Sequence, residues 1–248
     1  MIFKIQKFEE IDSTNKFALD NIQSLKDYSV ITAKNQTAGR GRKGRTWVST
    51  EGENLYFSLL LKEPQVLLSE ISGIPQLMGL AIYKALVTSG VKDSWIKWPN
   101  DIYVNNKKIC GILCESRFKG SEIDGLVIGV GVNVNTPKHS LELIDTPATS
   151  VIVETEDKEP FKTDELLHLI LNNFDKYYKK WLETSSRQEL QEEWRQASRL
   201  IGKAVKLIDD EIEIFGTVAD FSLTGEIIIQ TEKGFQNFSY GDLSLREV

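Results

Sequence analysis

Hydrophobic and polar positions along this chain switch between a strand-like and a helix-like period. Residues 2–10, residues 28–34 and the apolar run Leu55-Tyr56-Phe57-Ser58-Leu59-Leu60-Leu61 read as strands. Between the first two, Asp12-Ser13-Thr14-Asn15 offers several helix caps, so a helix to about residue 25 is predicted. A long helix is predicted over residues 69–89, stopped by Gly90. A short strand follows at 95–98. Ile102-Tyr103-Val104, then Asn105-Asn106, then residues 108–116 read as a β-hairpin with a two-residue turn. Residues 126–134 form an apolar strand interrupted by Gly129 and Gly131, and 135–160 reads as a loop.

Leu166, Leu167, Ile170, Leu171, Phe174, Tyr178, Trp181 and Leu182 keep the three-four spacing of a helix stripe. Those aromatics are assigned to the core rather than to a cofactor. Ser186-x-x-Glu189 reads as a capping box for a further helix to about 198. After Gly202 the texture changes to short strands at 205–208, 213–218, 226–230 and 235–239, the pattern of a small β-barrel or sandwich. An α+β fold follows, with one unit over 1–199 and a second over 200–248.

Composition narrows the class. At 248 residues and 41% hydrophobic, the chain can bury a sizeable core, and disorder over most of its length is excluded. No apolar run is read as approaching the ~20 residues of a membrane helix. The first residues lack a signal-peptide core, which predicts a cytoplasmic protein without a membrane partner. Cys110 and Cys114 are separated by three residues, not the two of redox and zinc motifs. On one strand they would lie about 13 Å apart, too far for a disulfide. His139 and His168 stand near no recognisable nucleophile or metal partner.

Positive charge is concentrated in one place on an acidic chain of net charge −6. Gly39-Arg40-Gly41-Arg42-Lys43-Gly44-Arg45 holds three glycines and four cations, and Thr46-Trp47 follows. Glycines let backbone approach a ligand, arginines match phosphate and carboxylate oxygens, and an indole can stack on a base. A Rossmann reading fails on context, because four residues separate the segment from its strand and no helix pattern follows it. A P-loop fails because no Gly-Lys-Ser/Thr occurs. A nucleic-acid surface would need a broader basic face than this chain has. A solvated loop without a ligand stays open on this segment alone.

Two further segments resist a purely structural account when taken with the loop. Lys97-Trp98-Pro99-Asn100-Asp101 ends a strand in a rigid turn. Lys107-Lys108-Ile109-Cys110-Gly111-Ile112-Leu113 puts cations at the mouth of an apolar strand. By itself the first is an ordinary turn and the second a guarded edge strand. In order and spacing, the Gly/Arg loop, Lys-Trp-Pro-Asn-Asp, Lys-x-x-Gly-Ile-Leu and Gly129-Val130-Gly131-Val132-Asn133 resemble the biotin protein ligases. Ser13-Thr14-Asn15 and Ser244-Leu245-Arg246 extend the resemblance over nearly the whole chain.

The resemblance implies a mixed β-sheet catalytic domain with flanking helices, of the class II aminoacyl-tRNA-synthetase-like fold, and a small C-terminal SH3-like β-barrel. It implies formation of biotinyl-5′-adenylate from biotin and ATP, with Mg²⁺ accompanying ATP. Biotin would then pass to a lysine of a biotin carboxyl carrier domain of a carboxylase. Its residue roles carry over by position. Ser13, Thr14, Asn15 and Gln36 would bind the ureido ring. Gly39 and Arg40 would cover biotin, and Gly111, Gly129 and Gly131 would line its slot. Arg42, Arg45, Trp47, Asn100, Asn133 and Arg246 would serve the nucleotide. Lys108, Arg42 and Asp101 would carry the chemistry. No metal ligand is assigned. The pattern begins almost at Met1, which implies the type without an N-terminal DNA-binding domain and no specific DNA partner. Monomer and homodimer both stay open. A lipoate-type ligase and a non-catalytic biotin or nucleotide sensor are the alternatives.

Overall fold

The apolar run at 55–61 becomes strand β3 (Leu55–Lys62), buried along both of its faces. A strand so buried needs cover on each side, and the fold supplies it. This computed structural model describes residues 1–49, 54–62, 64, 68–144, 146–155, 159–183, 187–209, 212–239 and 243–247. β1 (Lys4–Ile11) runs parallel to β2 (Ser29–Gln36) through the crossover helix α1 (Thr14–Asp20). β4 (Ser94–Lys97), β5 (Asp101–Val104), β6 (Lys107–Lys119) and β7 (Glu122–Val132) complete a seven-stranded mixed sheet of order β1-β2-β3-β7-β6-β5-β4. Ala18, Ile22 and Ile31 pack with Leu60 and Val127 on the α1 side. Phe57, Leu59 and Leu61 face the opposite, larger core.

That larger core is built by α2 (Ile74–Thr88) and α5 (Thr163–Leu182). The expected helix from 69 is a 3₁₀ turn over Leu68–Gly73 before α2 begins, with Pro75 in its first turn. The sequence count of membrane-length runs needs correction here. Glu70–Thr88 is long and apolar enough to cross a membrane by length and composition, yet 67% of it is buried inside this fold, as a core helix requires. The α5 stripe is buried from Leu166 to Trp181, but Leu182 is 40% exposed, because the helix ends there. The Trp181 ring lies so close to Gly73 that a side chain at Gly73 would collide with it.

Other boundaries also differ from expectation. α1 stops at Asp20 rather than near 25, because the Asn21 side chain donates back to the Phe17 carbonyl at 2.8 Å and closes the last turn. The region expected as a loop contains α3 (Lys138–Leu141) and α4 (Val151–Thr155). α6 (Arg187–Ala197) forms as expected, while its proposed Ser186 cap lies outside the described residues.

The C-terminal strands β8 (Ala204–Asp209), β9 (Ile212–Phe221), β10 (Ile227–Thr231), β11 (Gly234–Phe238) and β12 (Leu243–Glu247) form an antiparallel sheet of order β11-β10-β9-β8-β12. Among the described residues its edges do not pair, so the sheet is open rather than a closed barrel. β12 is not among the expected strands. Leu243 and Leu245 alternate with Ser244 and Arg246, but the run is only five residues long, and it is fixed as a strand by pairing with β8, Leu245 opposite Leu207. The sheet joins the main core through Trp194 against Phe221 at 6.0 Å between ring centroids.

Arg195 Nε donates to Asp220 Oδ1 at 2.6 Å across this junction. The Arg195 guanidinium holds the Asp220 carboxyl below its ordinary range. A depressed folded value means the stabilisation is present above about pH 4 and is lost as pH falls through the folded value. Asp220→Asn is expected to lower Tm at pH 7, by a loss on the order of 1 kcal/mol given solvent screening. Its difference from the parent should shrink towards pH 3. Thermal melts at both pH values check this, and an equal difference at both would contradict it.

Candidate active site

The site lies where α1, the loop after β2 and the glycine-bearing strands β6 and β7 meet. Ser13 caps α1, accepting from the Lys16 amide at 3.4 Å. The Ser13 amide bonds Asp12 and, with Lys16, holds that carboxyl below its ordinary range. The cap brings Thr14 and Asn15, both nearly fully buried, over the sheet. Gln36 Oε1, at the end of β2, accepts from the Thr14 amide at 2.9 Å. Beneath them Gly129 pairs with Leu113, and Gly131 with Gly111. A side chain at Gly129 would collide with the Asn15 amide, and one at Gly131 with the Trp47 indole. A Cβ on Gly111 would stand 2.8 Å from Trp47 Cζ3. The glycines are therefore demanded by close approach of other side chains, not by backbone conformation.

The Gly/Arg loop folds back on itself. Trp47 N donates to Gly39 O at 3.0 Å, and Gly41 N to Arg45 O at 2.7 Å. A Cβ on Gly39 would lie 2.6 Å from Trp47 O, so this glycine permits the closure and does not itself line the site. A 3₁₀ turn, Arg42–Gly44, places Lys43 and Gly44 in left-handed backbone at φ 53° and 69°. Two arginines reach inward. Arg40 lies 3.1 Å from Glu115, and Arg42 Nη1 donates to Asn100 Oδ1 at 3.0 Å.

Asn100 is held in turn by the strand it faces. Its Nδ2 donates to Ile112 O at 2.8 Å, and Ile112 N donates to Asn100 O at 2.8 Å. Lys108 is pinned from the other side, with its amide on Pro147 O and its carbonyl accepting from Thr149, each at 2.9 Å. Its ammonium lies 2.7 Å from Asp101 Oδ1 and 5.5 Å from the centre of the Trp47 ring. Burial pushes the adjacent Cys110 thiol well up, so it stays protonated and is not a nucleophile. Burial, with Asp101 nearby, pushes Tyr103 up to about 12.

Two cavities meet here. A small polar slot of about 60 Å³ is lined by Ser13, Thr14, Asn15, Gln36 and Arg40 above Gly111, Gly129 and Gly131. A larger cleft of about 500 Å³ extends past Arg45, Asp101 and Asn133 to Arg246 of β12. Arg42, Trp47, Asn100 and Lys108 line both. Every residue to which the resemblance gives a binding or chemical role, except Gly39, thus lines one cavity or the other. Sequence reasoning missed Ser58 and Glu115. Ser58 is fully buried beneath Thr14 and Asn15, and its one signal is a lone hydroxyl inside an apolar run. Among the described residues, no group of three or more His, Cys, Asp or Glu could hold a metal ion.

The model of the biotin/lipoate A/B protein ligase family matches residues 7–133, just over half of the chain. The chain belongs to that family. It is 30% identical over 240 residues to the bifunctional ligase/repressor BirA of Salmonella typhimurium, covering 95% of this chain and 72% of that one. It is 27% identical to the biotin–[acetyl-CoA-carboxylase] ligase of Paracoccus denitrificans, covering 91% of this chain and 93% of the relative. Among solved structures, the biotin protein ligase from Aquifex aeolicus in complex with biotin and ATP superposes with TM-score 0.83 at 31% identity over 99% of each chain. The mixed sheet with flanking helices is the fold of these ligases.

Proposed function

We infer that this chain is an ATP-dependent biotin–protein ligase. The observation that carries the reading is the meeting of two cavities at Lys108 and Arg42. A slot of hydroxyl and amide groups suits the ureido ring of biotin, and the cationic cleft suits ATP. At the seam the biotin carboxylate would attack the α-phosphorus of ATP. The bond from the α-phosphorus to the α,β-bridging oxygen breaks, pyrophosphate leaves, and a mixed anhydride, biotinyl-5′-adenylate, forms. Two anions must approach for that step, and fixed cations at the seam offset their repulsion. The amine of a carrier lysine would then attack the anhydride carbonyl, releasing AMP and a proton and leaving an amide.

Ser13, Thr14, Asn15 and Gln36 are the proposed ureido contacts, with Arg40 at the slot's rim. Arg45, Trp47, Asn100, Asn133 and Arg246 are the proposed nucleotide contacts. Mg²⁺ would enter with ATP and be held by its phosphates, with Asp101 the carboxylate lining the cleft. When bound, it would neutralise phosphate charge. We place the catalytic unit at 1–199 and read 200–248 as an SH3-like unit that lends Arg246 to the cleft. The acceptor would be a biotin carrier domain of a carboxylase, in the cytoplasm.

The test is biotin-dependent exchange of labelled pyrophosphate into ATP, followed by transfer to a purified biotin carrier domain. Exchange driven by lipoate and not by biotin would overturn the reading, as would biotin binding with no exchange. A second expectation concerns the loop. Its four cations repel each other until an anion arrives. Amides 40–47 should gain hydrogen-exchange protection when biotin and ATP are added together. Equal protection with and without them would contradict this.

A further inference from the structure

The Lys-Trp-Pro-Asn-Asp segment contributes a cation that no role above uses. Lys97, the last residue of β4, lines the larger cleft and not the slot. The sheet sets its place. The slot lies over β7 and β6, at Gly129, Gly131 and Gly111. Further along the strand order, the larger cleft is lined by Lys108 of β6, Asp101 and Tyr103 of β5, and Lys97 of β4. Tyr103 pairs with Lys108, and Asp101 with Lys97. Neighbouring strands lie ~4.8 Å apart, so Lys97 is rooted about 10 Å beyond Lys108. Its ammonium sits 4.8 Å from the centre of the Tyr103 ring, which holds it at the cleft. From the Gly/Arg loop, the charge of Arg45 reaches the same phenol.

Displacement at phosphorus dictates where the leaving group goes. The biotin carboxylate would approach from the slot, and its oxygen would bond to the α-phosphorus at the seam. The bond to the α,β-bridging oxygen would break, its electron pair leaving with pyrophosphate. Attacking and leaving oxygens stand roughly in line. A nucleophile that arrives over β7 and β6 therefore sends pyrophosphate away over β5 towards β4. Only one phosphate stays with the adenylate, and Arg42 and Lys108 stand at the seam to meet it. Pyrophosphate carries off most of the charge, and its path needs cations of its own. We propose that Lys97 is a pyrophosphate-binding residue, which with Arg45 receives the β- and γ-phosphates of ATP on the β4 side of the cleft. Asp101 lies between the two lysines, and the Lys108 ammonium 2.7 Å away offsets its charge. The proposal rests on the biotin-ligase reading and adds to it a residue that touches the leaving group but not the adenylate.

The experiment uses Lys97→Met, which keeps an unbranched stem over the Tyr103 ring and removes the charge. Exchange at varied pyrophosphate, ATP and biotin gives three KM values. Transfer from synthetic biotinyl-5′-adenylate to a purified biotin carrier domain reads the second half-reaction alone. KM for pyrophosphate should rise about tenfold or more, the scale of one charge-assisted hydrogen bond. KM for ATP should rise with it, while KM for biotin and the transfer rate stay at the parent values. A role in packing alone predicts an unchanged pyrophosphate KM, and that result would overturn the proposal. So would an equal loss in transfer from the adenylate, which would place Lys97 at the seam. Should Tm show that Lys97→Met does not fold, Lys97→Gln replaces it under the same criteria. Absence of biotin-dependent exchange in the parent protein would count against the ligase reading instead.

Discussion

Lys108→Ala is expected to lower biotin-dependent pyrophosphate exchange by about 10²–10³-fold or more, while biotin still binds. The lysine stands at the seam of the two cavities, where a carboxylate and a phosphate would have to meet. Its loss removes the shared counter-charge and also strips Asp101 of the ammonium 2.7 Å away. The bare Asp101 carboxylate then repels the same two anions, so the penalty exceeds that of deleting one donor. Exchange assays together with calorimetric titration of biotin decide the matter. Near-normal exchange in the variant would remove Lys108 from its assigned role.

Arg42→Gly is expected to make adenylate but fail to retain it. A mixed anhydride reacts with any amine or water it meets, so it must be held until the carrier lysine arrives. Arg42 is placed for this by Asn100 at 3.0 Å, itself fixed to β6. A guanidinium–phosphate hydrogen bond contributes roughly 1.5–3 kcal/mol. Losing it speeds escape by one to two orders of magnitude, at about 1.4 kcal/mol per decade. Glycine would also loosen the 3₁₀ turn that carries the loop across the site. Incubation with biotin, ATP and albumin, followed by blotting for biotin, should show heavier labelling of albumin with the variant. Labelling equal to the parent, with exchange retained, would mean that Arg42 is not the retaining contact.

Arg42, Lys108, Gly111, Gly129 and Gly131 stand out in the sequence because each belongs to a contiguous motif whose residue types are rare in that combination, and the structure brings them to the two cavities. Ser58 and Glu115 were not, because a lone serine in an apolar run and a glutamate late in a strand are ordinary in sequence. They come into contact with Asn15 when β3 and β6 take their places on either side of β7 beneath α1. At Gly39 the structure adds a local reason for glycine, because Trp47 O comes so close that a side chain there would block closure of the loop.

By itself the sequence determined strands β1 to β7 and helices α1, α2, α5 and α6 apart from their ends, the core stripe of α5, the β5–β6 hairpin and the family. These rest on local periodicity, turn chemistry and short motifs, all readable within a few residues. Tertiary structure alone decided the strand order, the 3₁₀ entry to α2, the helices within 135–160, the pairing that makes β12 a strand, and the open edges of the C-terminal sheet. It also decided the Lys108–Asp101 pair and the two cavities that share Lys108 and Arg42. Each depends on groups far apart in the chain. Whether two such groups meet is set by burial and pairing summed over the whole fold, which no local window contains.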